Sequence, residues 1–169
     1  MKKILFVCTG NSCRSVMAEG LLKDYLSKKG RTDVHVLSAG VSAFGGAGPT
    51  PETVEVMRAE HIDVSNHISQ PVTPQLVKNA DIVFCMEQFQ RDILLTQIPE
   101  SAGKVHLLKT FLNKQRLADP NIADPIGRPK EVYESCLMTI KEAVDRVGRW
   151  IVGESGTPQR GDEKWETEG

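Results

Sequence analysis

The sequence predicts an α/β fold built on a parallel β-sheet. Short and almost wholly apolar segments alternate with longer segments in which apolar residues recur at helical spacing. Such apolar runs are typical of strands buried on both faces, and their alternation with helices is typical of a parallel sheet covered by helices. The chain has 169 residues, 40% of them hydrophobic and 25% charged, which fits one domain with its own core.

The first unit is a strand, a short loop and a helix. Residues 4–7 (ILFV) form the strand, and a loop containing Gly10 follows it. Ser15 is the expected N-cap of the helix, because apolar residues recur at helical spacing after it. Gly30 is the expected end of the helix.

Three more strands and three more helices follow along the chain. The strands are predicted at residues 34–37, 81–86 and 104–108. The helices are predicted to begin at Thr50-Pro51, at Glu87 and near Lys130, the first of them because a capping threonine precedes a proline. Residues 113–129 contain three prolines and are expected to form a long surface loop.

The folded domain is expected to span residues 1–152, with residues 153–169 as a disordered tail, because the composition turns polar and Gly-rich there. A net charge of -1 gives no electrostatic reason to expect nucleic acid or a membrane surface as a partner. No apolar stretch approaches the roughly 18–20 residues of a membrane span. The first apolar run is also too short for the core of a signal peptide, so we expect a cytoplasmic protein.

The four cysteines, Cys8, Cys13, Cys85 and Cys136, do not have the spacing of zinc ligands. No pair of the four histidines has metal-ligand spacing either, so no metal site is expected. Cys85 and Cys136 are expected to fill the core, since reduced cysteines are often buried.

The loop at residues 8–15 (CTGNSCRS) has the features of an anion site. A strand-to-helix loop aims successive backbone N–H groups inward and places the positive end of a helix dipole beneath the anion. Both effects favour the thiolate of Cys8, which is then a nucleophile. Arg14 offers a planar fork that matches two phosphate oxygens. Ser15 can donate a hydrogen bond to the thiolate, and Asn11 can brace the loop.

A phosphatase without a metal also needs a proton donor for the leaving group. Two Asp-Pro pairs, Asp119-Pro120 and Asp124-Pro125, follow more than 100 residues after Cys8. An aspartate near a bound phosphate could hold that proton. Asp-Pro pairs are also common in turns that have no catalytic role, and the residues alone do not show which of the two aspartates, if either, is the proton donor.

Several segments together resemble the low-molecular-weight protein tyrosine phosphatases. The match covers residues 2 to about 150, and its clearest part is the loop with its flanks. The matching segments are residues 7–19 (VCTGNSCRSVMAE), 38–40 (SAG), 61–67 (HIDVSNH), 80–86 (ADIVFCM) and 124–127 (DPIG), with Tyr133 downstream.

The resemblance implies a three-layer αβα fold with a four-stranded parallel sheet, of the Rossmann-like or flavodoxin-like kind, and a reaction without metal or cofactor. Cys8 attacks phosphorus, Arg14 and the loop hold the oxygens, and Asp124 is the acid, which leaves Asp119 outside the site. Cys13 matches a second family cysteine that can form a protective disulfide with Cys8. The implied phosphate-binding loop consists of Thr9, Gly10, Asn11, Ser12, Cys13 and Ser15.

The expected substrate is inferred from two places at which this chain differs from the tyrosine-specific members of the family. Those members usually have a large aliphatic residue in place of Ser12 and aromatic residues in place of Ile126 and Gly127. The bacterial protein arginine phosphatases resemble this chain more closely there, with a threonine at the Ser12 position and a similar Asp-Pro-x-Gly. Residues 69–74 (SQPVTP) also look like that branch, whereas Val16 replaces its proline. A phosphorylated protein is therefore the expected partner, with phosphoarginine ahead of phosphotyrosine.

Two other functions fit parts of the pattern. Arsenate reductases share the loop and the fold, but they relay electrons through two further accessible cysteines, and Cys85 and Cys136 are not a close pair. A non-catalytic phosphate-binding module needs no nucleophile, and the set of Cys8, Arg14 and Asp124 argues against it.

Overall fold

Parallel strands form one sheet within residues 1–154, the part of the chain that the structure, a computed structural model, describes. The strands are Lys2–Cys8 (β1), Val34–Gly40 (β2), Ile82–Cys85 (β3) and Val105–Leu107 (β4). The α-helices are Arg14–Lys28 (α1), Pro51–Ala59 (α2), Pro74–Asn79 (α3), Gln88–Gln97 (α4) and Lys130–Ile151 (α5). A short 3₁₀ helix, Pro99–Lys104, leads into β4.

The strand order is β2-β1-β3-β4, which confirms the predicted four-stranded parallel sheet. The direction of strand addition reverses at β1, because β2 lies on one side of β1 and β3 lies on the other. At the carboxyl end of β1, Cys8 pairs with Gly40 of β2, and Val7 pairs with Cys85 of β3. Ligands of open α/β sheets bind at such a switch point, so the fold places the loop after β1 there.

Alternate side chains of β1 enter two different cores, which explains its unbroken apolar run. Ile4 and Phe6 pack into a core that is shared with α1, α2 and α5. Leu5 and Val7 pack into a second core, on the other face of the sheet, that is shared with α3 and α4. Helices therefore cover both faces, as the predicted three-layer arrangement requires.

One predicted helix start is wrong. Ser15 is not the N-cap of α1, because the helix begins at Arg14 and its N-cap is Cys13, which makes no side-chain capping bond. The Ser15 hydroxyl forms hydrogen bonds with Cys8 and Asn11 instead. It is therefore used in tertiary contacts and, contrary to what the local sequence pattern predicted, does not cap the helix. Thr50 does cap α2 as predicted, by accepting a hydrogen bond from the N–H of Thr53.

Helix α3 was not predicted from the sequence, although Thr73 caps it and Pro74 opens it. It has six residues, too few to show a helical repeat of apolar positions. Of the tail predicted for residues 153–169, all but the first two residues lie outside the described part of the chain. Among the described residues, no helix combines the length and the apolar character that crossing a membrane demands.

Candidate active site

The Cys8 thiol ends β1 at the switch point and is almost fully buried, with 2% of its surface exposed. The backbone N–H of Asn11 donates to Cys8 Sγ at 3.3 Å. The Ser15 hydroxyl oxygen lies 2.9 Å from the same sulfur. The sulfur therefore lies at the carboxyl end of the sheet, between a backbone donor and a hydroxyl.

Asn11 decides which way the Ser15 hydroxyl points. Its side chain is fully buried, and its Nδ2 donates to Ser15 Oγ at 2.8 Å and to Ser38 Oγ at 2.9 Å. Because Ser15 Oγ accepts this bond, its own proton is free to donate to Cys8 Sγ. The N–H of Asn11 and the hydroxyl of Ser15 therefore both face the Cys8 sulfur.

A second layer of polar groups holds Asn11 in place. Its Oδ1 accepts from the N–H of Gln70 at 3.0 Å and from His67 Nε2 at 3.1 Å. The Ser38 hydroxyl in turn donates to the carboxylate of Glu19, which lies 3.6 Å from His67 Nδ1. The network joins the loop to β2, α1 and the segment before α3. Asn11 can take its left-handed backbone, with φ of 53°, at lower cost than most residues.

The carboxyl end of β2 approaches the loop too closely for a side chain at Gly40. A Cβ there would lie 2.5 Å from the carbonyl oxygen of Thr9 and 2.9 Å from the nitrogen of Asn11. The chain beyond Gly40 stays bonded to the loop, because Val41 N donates to Cys8 O and Ser42 N to Thr9 O, each at 2.9 Å. Gly40 is thus required for β2 to support the loop.

Arg14 is a buried cation held from three sides, with 1% of its surface exposed. Its Nη1 donates to the carbonyl oxygen of Ile122 at 2.7 Å and to the carboxylate of Glu87. Its Nη2 lies 3.4 Å from Asp124 Oδ2. These contacts fix the guanidinium beside the loop.

The structure brings one of the two candidate aspartates to Arg14. Asp124 contacts the guanidinium, and its Oδ1 accepts from the N–H of Ile126 at 3.1 Å. Asp119 Oδ1 accepts from the N–H of Asn121 at 2.9 Å within its own turn. Of the two aspartates, Asp124 therefore lies beside the loop arginine, with 37% of its side chain open to solvent. Ile126 lies beside it and is exposed.

The other thiols have different surroundings. Cys13 Sγ lies 3.5 Å from Thr50 Oγ1 and 3.9 Å from the Tyr133 hydroxyl, and the cysteine is not in a disulfide. Burial raises the pKa values of Cys85 and Cys136 to about 12. Both are core residues, as predicted. Within residues 1–154, no three His, Cys, Asp or Glu side chains are grouped in a way that could hold a metal ion.

Comparison with known proteins identifies the family. The model of the low molecular weight phosphotyrosine protein phosphatases matches residues 3–151. The chain belongs to this family. The predicted family, fold and enzyme class, a protein phosphatase, are thereby confirmed.

Relatives of this phosphatase have different named activities. It is 34% identical to the "Protein-arginine-phosphatase" of Bacillus subtilis over 88% of this chain and 95% of that one. It is 36% identical to the "Probable low molecular weight protein-tyrosine-phosphatase EpsP" of Ralstonia nicotianae, over 86% and 92% of the two chains. It is also 32% identical to an arsenate reductase of Staphylococcus aureus, over 85% and 94%.

Among solved structures, the YwlE arginine phosphatase from Geobacillus stearothermophilus superposes on this phosphatase with a TM-score of 0.82. The two chains are 33% identical, and the match covers 91% of this chain and 95% of that one. The fold is therefore shared over almost the whole domain.

One residue at the site was not predicted from the sequence. Glu87 contacts Arg14 from the start of α4, directly after β3, and its position after a buried strand of the sheet was the available signal.

Proposed function

We propose that this phosphatase hydrolyses phosphorylated protein side chains through a cysteinyl-phosphate on Cys8, with phosphoarginine preferred over phosphotyrosine. The observation that carries the proposal is the pair of donors, Asn11 N–H and Ser15 O–H, aimed at a buried sulfur beside a fixed arginine. A site that only binds phosphate has no use for an activated thiol. The four free cysteines suit a reducing compartment, so we propose the cytoplasm as its location.

In the first step the Cys8 thiolate attacks phosphorus, and the bond from phosphorus to the leaving nitrogen or oxygen breaks. Asp124 gives its proton to the leaving atom. The loop amides and Arg14 hold the three phosphoryl oxygens, where charge builds up in the transition state. The products of this step are a free side chain, a cysteinyl-phosphate and an ionised Asp124.

In the second step water attacks the cysteinyl-phosphate. Asp124 takes a proton from the water, the sulfur–phosphorus bond breaks, and inorganic phosphate leaves. The Ser15 hydroxyl stabilises the departing thiolate by donating a hydrogen bond to it, since Ser15 Oγ lies 2.9 Å from Cys8 Sγ and itself accepts from Asn11. The cycle consumes one water and restores the thiolate and the protonated acid.

The preference for phosphoarginine rests on the residues around the mouth of the site. Ser12 is small, half-buried and polar, and its carbonyl oxygen accepts a hydrogen bond from Thr50 N at 3.1 Å. The exposed residue after Asp124-Pro125 is the aliphatic Ile126, which cannot stack on a phenyl ring as an aromatic residue could. The relatives named as protein-arginine-phosphatases support the same choice.

An arsenate reductase is the second candidate, because one relative carries that name. A thiol relay needs accessible thiols of low pKa. Burial raises the pKa values of Cys85 and Cys136 to about 12, which makes both poor relay thiols. These two residues favour the phosphatase.

The test is a side-by-side assay of the full chain on two peptides of the same sequence, one with phosphoarginine and one with phosphotyrosine. We expect a higher kcat/KM for phosphoarginine and a shift of the ratio toward phosphotyrosine in Ser12→Ile. Ser135→Ile, an exposed position on α5, is the matched control and should leave the ratio unchanged. A wild-type preference for phosphotyrosine, or a ratio unmoved by Ser12→Ile, would contradict the proposed substrate. Turnover of arsenate but of neither peptide would contradict the phosphatase.

A further inference from the structure

The loop between β4 and α5, which carries Asp124, is attached to the start of α4 by a side chain. Asn121 Oδ1 accepts a hydrogen bond at 2.7 Å from the backbone N–H of Gln88, which lies 33 residues away in the sequence. Gln88 is the first residue of α4, so its N–H is one of the helix-start donors that have no partner within the helix. Asn121 supplies that partner, and the bond fixes the loop to the helix.

The first turn of α4 is in turn fixed to the phosphate loop. Gln90 is fully buried, and its Oε1 accepts from the N–H groups of Met86 and Glu87 at 2.9 and 3.0 Å. Because two backbone donors hold Oε1, the amide nitrogen faces the other way, and Nε2 donates to Thr9 Oγ1 at 3.1 Å. Thr9 directly follows Cys8. A loop that is attached to α4 is therefore also held at a set position relative to the nucleophile.

Two residues separate Asn121 from Asp124, and the first of them is fixed. Ile122 is buried, its N–H donates to Met86 O at 2.9 Å, and its carbonyl oxygen accepts from Arg14 Nη1 at 2.7 Å. These bonds use the backbone of the loop and do not depend on its side chains. The bond to Asn121 Oδ1 does depend on a side chain, so a substitution can remove it alone.

From these contacts we propose that Asn121 is a positioning residue for the proton donor. It sets the distance and the direction from which the Asp124 carboxyl reaches the leaving atom, and it acts through Asp124. Proton transfer in a transition state demands such placement, since the donor must lie within hydrogen-bond reach of the departing atom. The inference rests on the proposed phosphatase activity with Asp124 as its acid, and it assigns a role to a residue outside the reacting set.

The test compares Asn121→Ala with wild type on phenyl phosphate and on p-nitrophenyl phosphate. Phenolate is a strong base and needs the proton of Asp124 as it leaves, whereas p-nitrophenolate is a weak base that leaves without one. We expect kcat/KM, which covers the first chemical step, to fall about tenfold on phenyl phosphate and less than about twofold on p-nitrophenyl phosphate. An equal loss on both substrates, or no loss on either, would overturn the inference, because a merely structural role does not depend on the leaving group.

Two variants test whether the bond itself is the cause. Asn121→Asp keeps an oxygen that can accept from the N–H of Gln88 at the positive end of α4, so it should retain the wild-type kcat/KM values. Asn113→Ala removes another asparagine of the same loop, whose Oδ1 accepts from Gln115 N at 3.0 Å, and it should change kcat/KM on neither substrate. If Asn121→Asp is as slow on phenyl phosphate as Asn121→Ala, the inference is overturned.

A double-mutant cycle separates this role from the assignment of the acid. Asp124→Asn should show the same selective loss on phenyl phosphate, and adding Asn121→Ala to it should cause no further loss, because the group that Asn121 positions is gone. A further loss of about tenfold in the double variant would overturn the role of Asn121 alone. If Asp124→Asn lowers kcat/KM equally on both substrates, the acid assignment fails and the inference fails with it. If wild type hydrolyses neither substrate, the proposed phosphatase activity fails.

Discussion

Replacing Asn11 by alanine tests the idea that one buried amide organises the phosphate loop. The side chain makes four hydrogen bonds, donating to Ser15 and Ser38 and accepting from Gln70 and His67. Each such bond contributes about 0.5–1.5 kcal/mol net, so their loss costs about 3 kcal/mol. Alanine in the left-handed backbone at φ of 53° adds about 1 kcal/mol.

The expected total for Asn11→Ala is a loss of about 4 kcal/mol in the free energy of unfolding. For a chain of 169 residues this corresponds to a decrease in Tm of roughly 8–16 °C. We expect kcat to fall as well, because the Ser15 hydroxyl loses the bond that directs its proton to Cys8. Urea denaturation and a thermal scan measure the stability, and an aryl phosphate assay measures kcat.

Two further variants separate the causes. Asn11→Gly loses the same four bonds but avoids the backbone strain, so it should be about 1 kcal/mol more stable than Asn11→Ala. Asn79→Ala is the control, since Asn79 is exposed on α3 and accepts a bond only on the surface, from Gln75. A value for Asn11→Ala within about 1 kcal/mol of wild type would refute the reasoning, since four buried bonds cannot be lost at that cost.

Two other predictions concern the acid and the buried thiols. Asp124→Asn should lower kcat on phosphotyrosine about 100-fold or more in steady-state kinetics, whereas Asp119→Asn should leave it unchanged; the reverse order would assign the acid to Asp119. Cys85 and Cys136, whose pKa values burial raises to about 12, should resist iodoacetamide at pH 8, where about one in ten thousand of each is a thiolate. Peptide mapping measures this, and alkylation of either residue before Cys8 would contradict it.

Local patterns were sufficient for the strands and for most helices. The apolar run of β1 could be recognised because both of its faces are buried, and α5 because its apolar stripe continues over 22 residues. Helix α3 was too short for such a repeat. Ser15 was misassigned because its hydroxyl has partners at Cys8 and Asn11, and a local capping rule takes no account of them.

The candidate site was predictable where its residues are adjacent in the chain. Cys8, Arg14 and the loop between them form one continuous motif, so the sequence displays them together. Glu87 meets Arg14 across 73 residues, and no local spacing predicts that contact. Asp119 and Asp124 each precede a proline, so local pattern did not choose between them and only the family resemblance pointed to Asp124. The folded chain places Asp124 beside Arg14 and Asp119 within its own turn.

The nucleophile is the central claim, and trapping the phosphorylated enzyme tests it most directly. Asp124→Asn should slow hydrolysis of the intermediate, so this variant is quenched during turnover of an aryl phosphate whose acidic phenol leaves without a proton, and it is then mapped by mass spectrometry. We predict one phosphoryl group on the peptide that contains Cys8, and none when Cys8 is also replaced by alanine, which has no atom that can accept the phosphoryl group. A phosphoryl group on another residue, or full turnover by Cys8→Ser alone, would contradict the central claim.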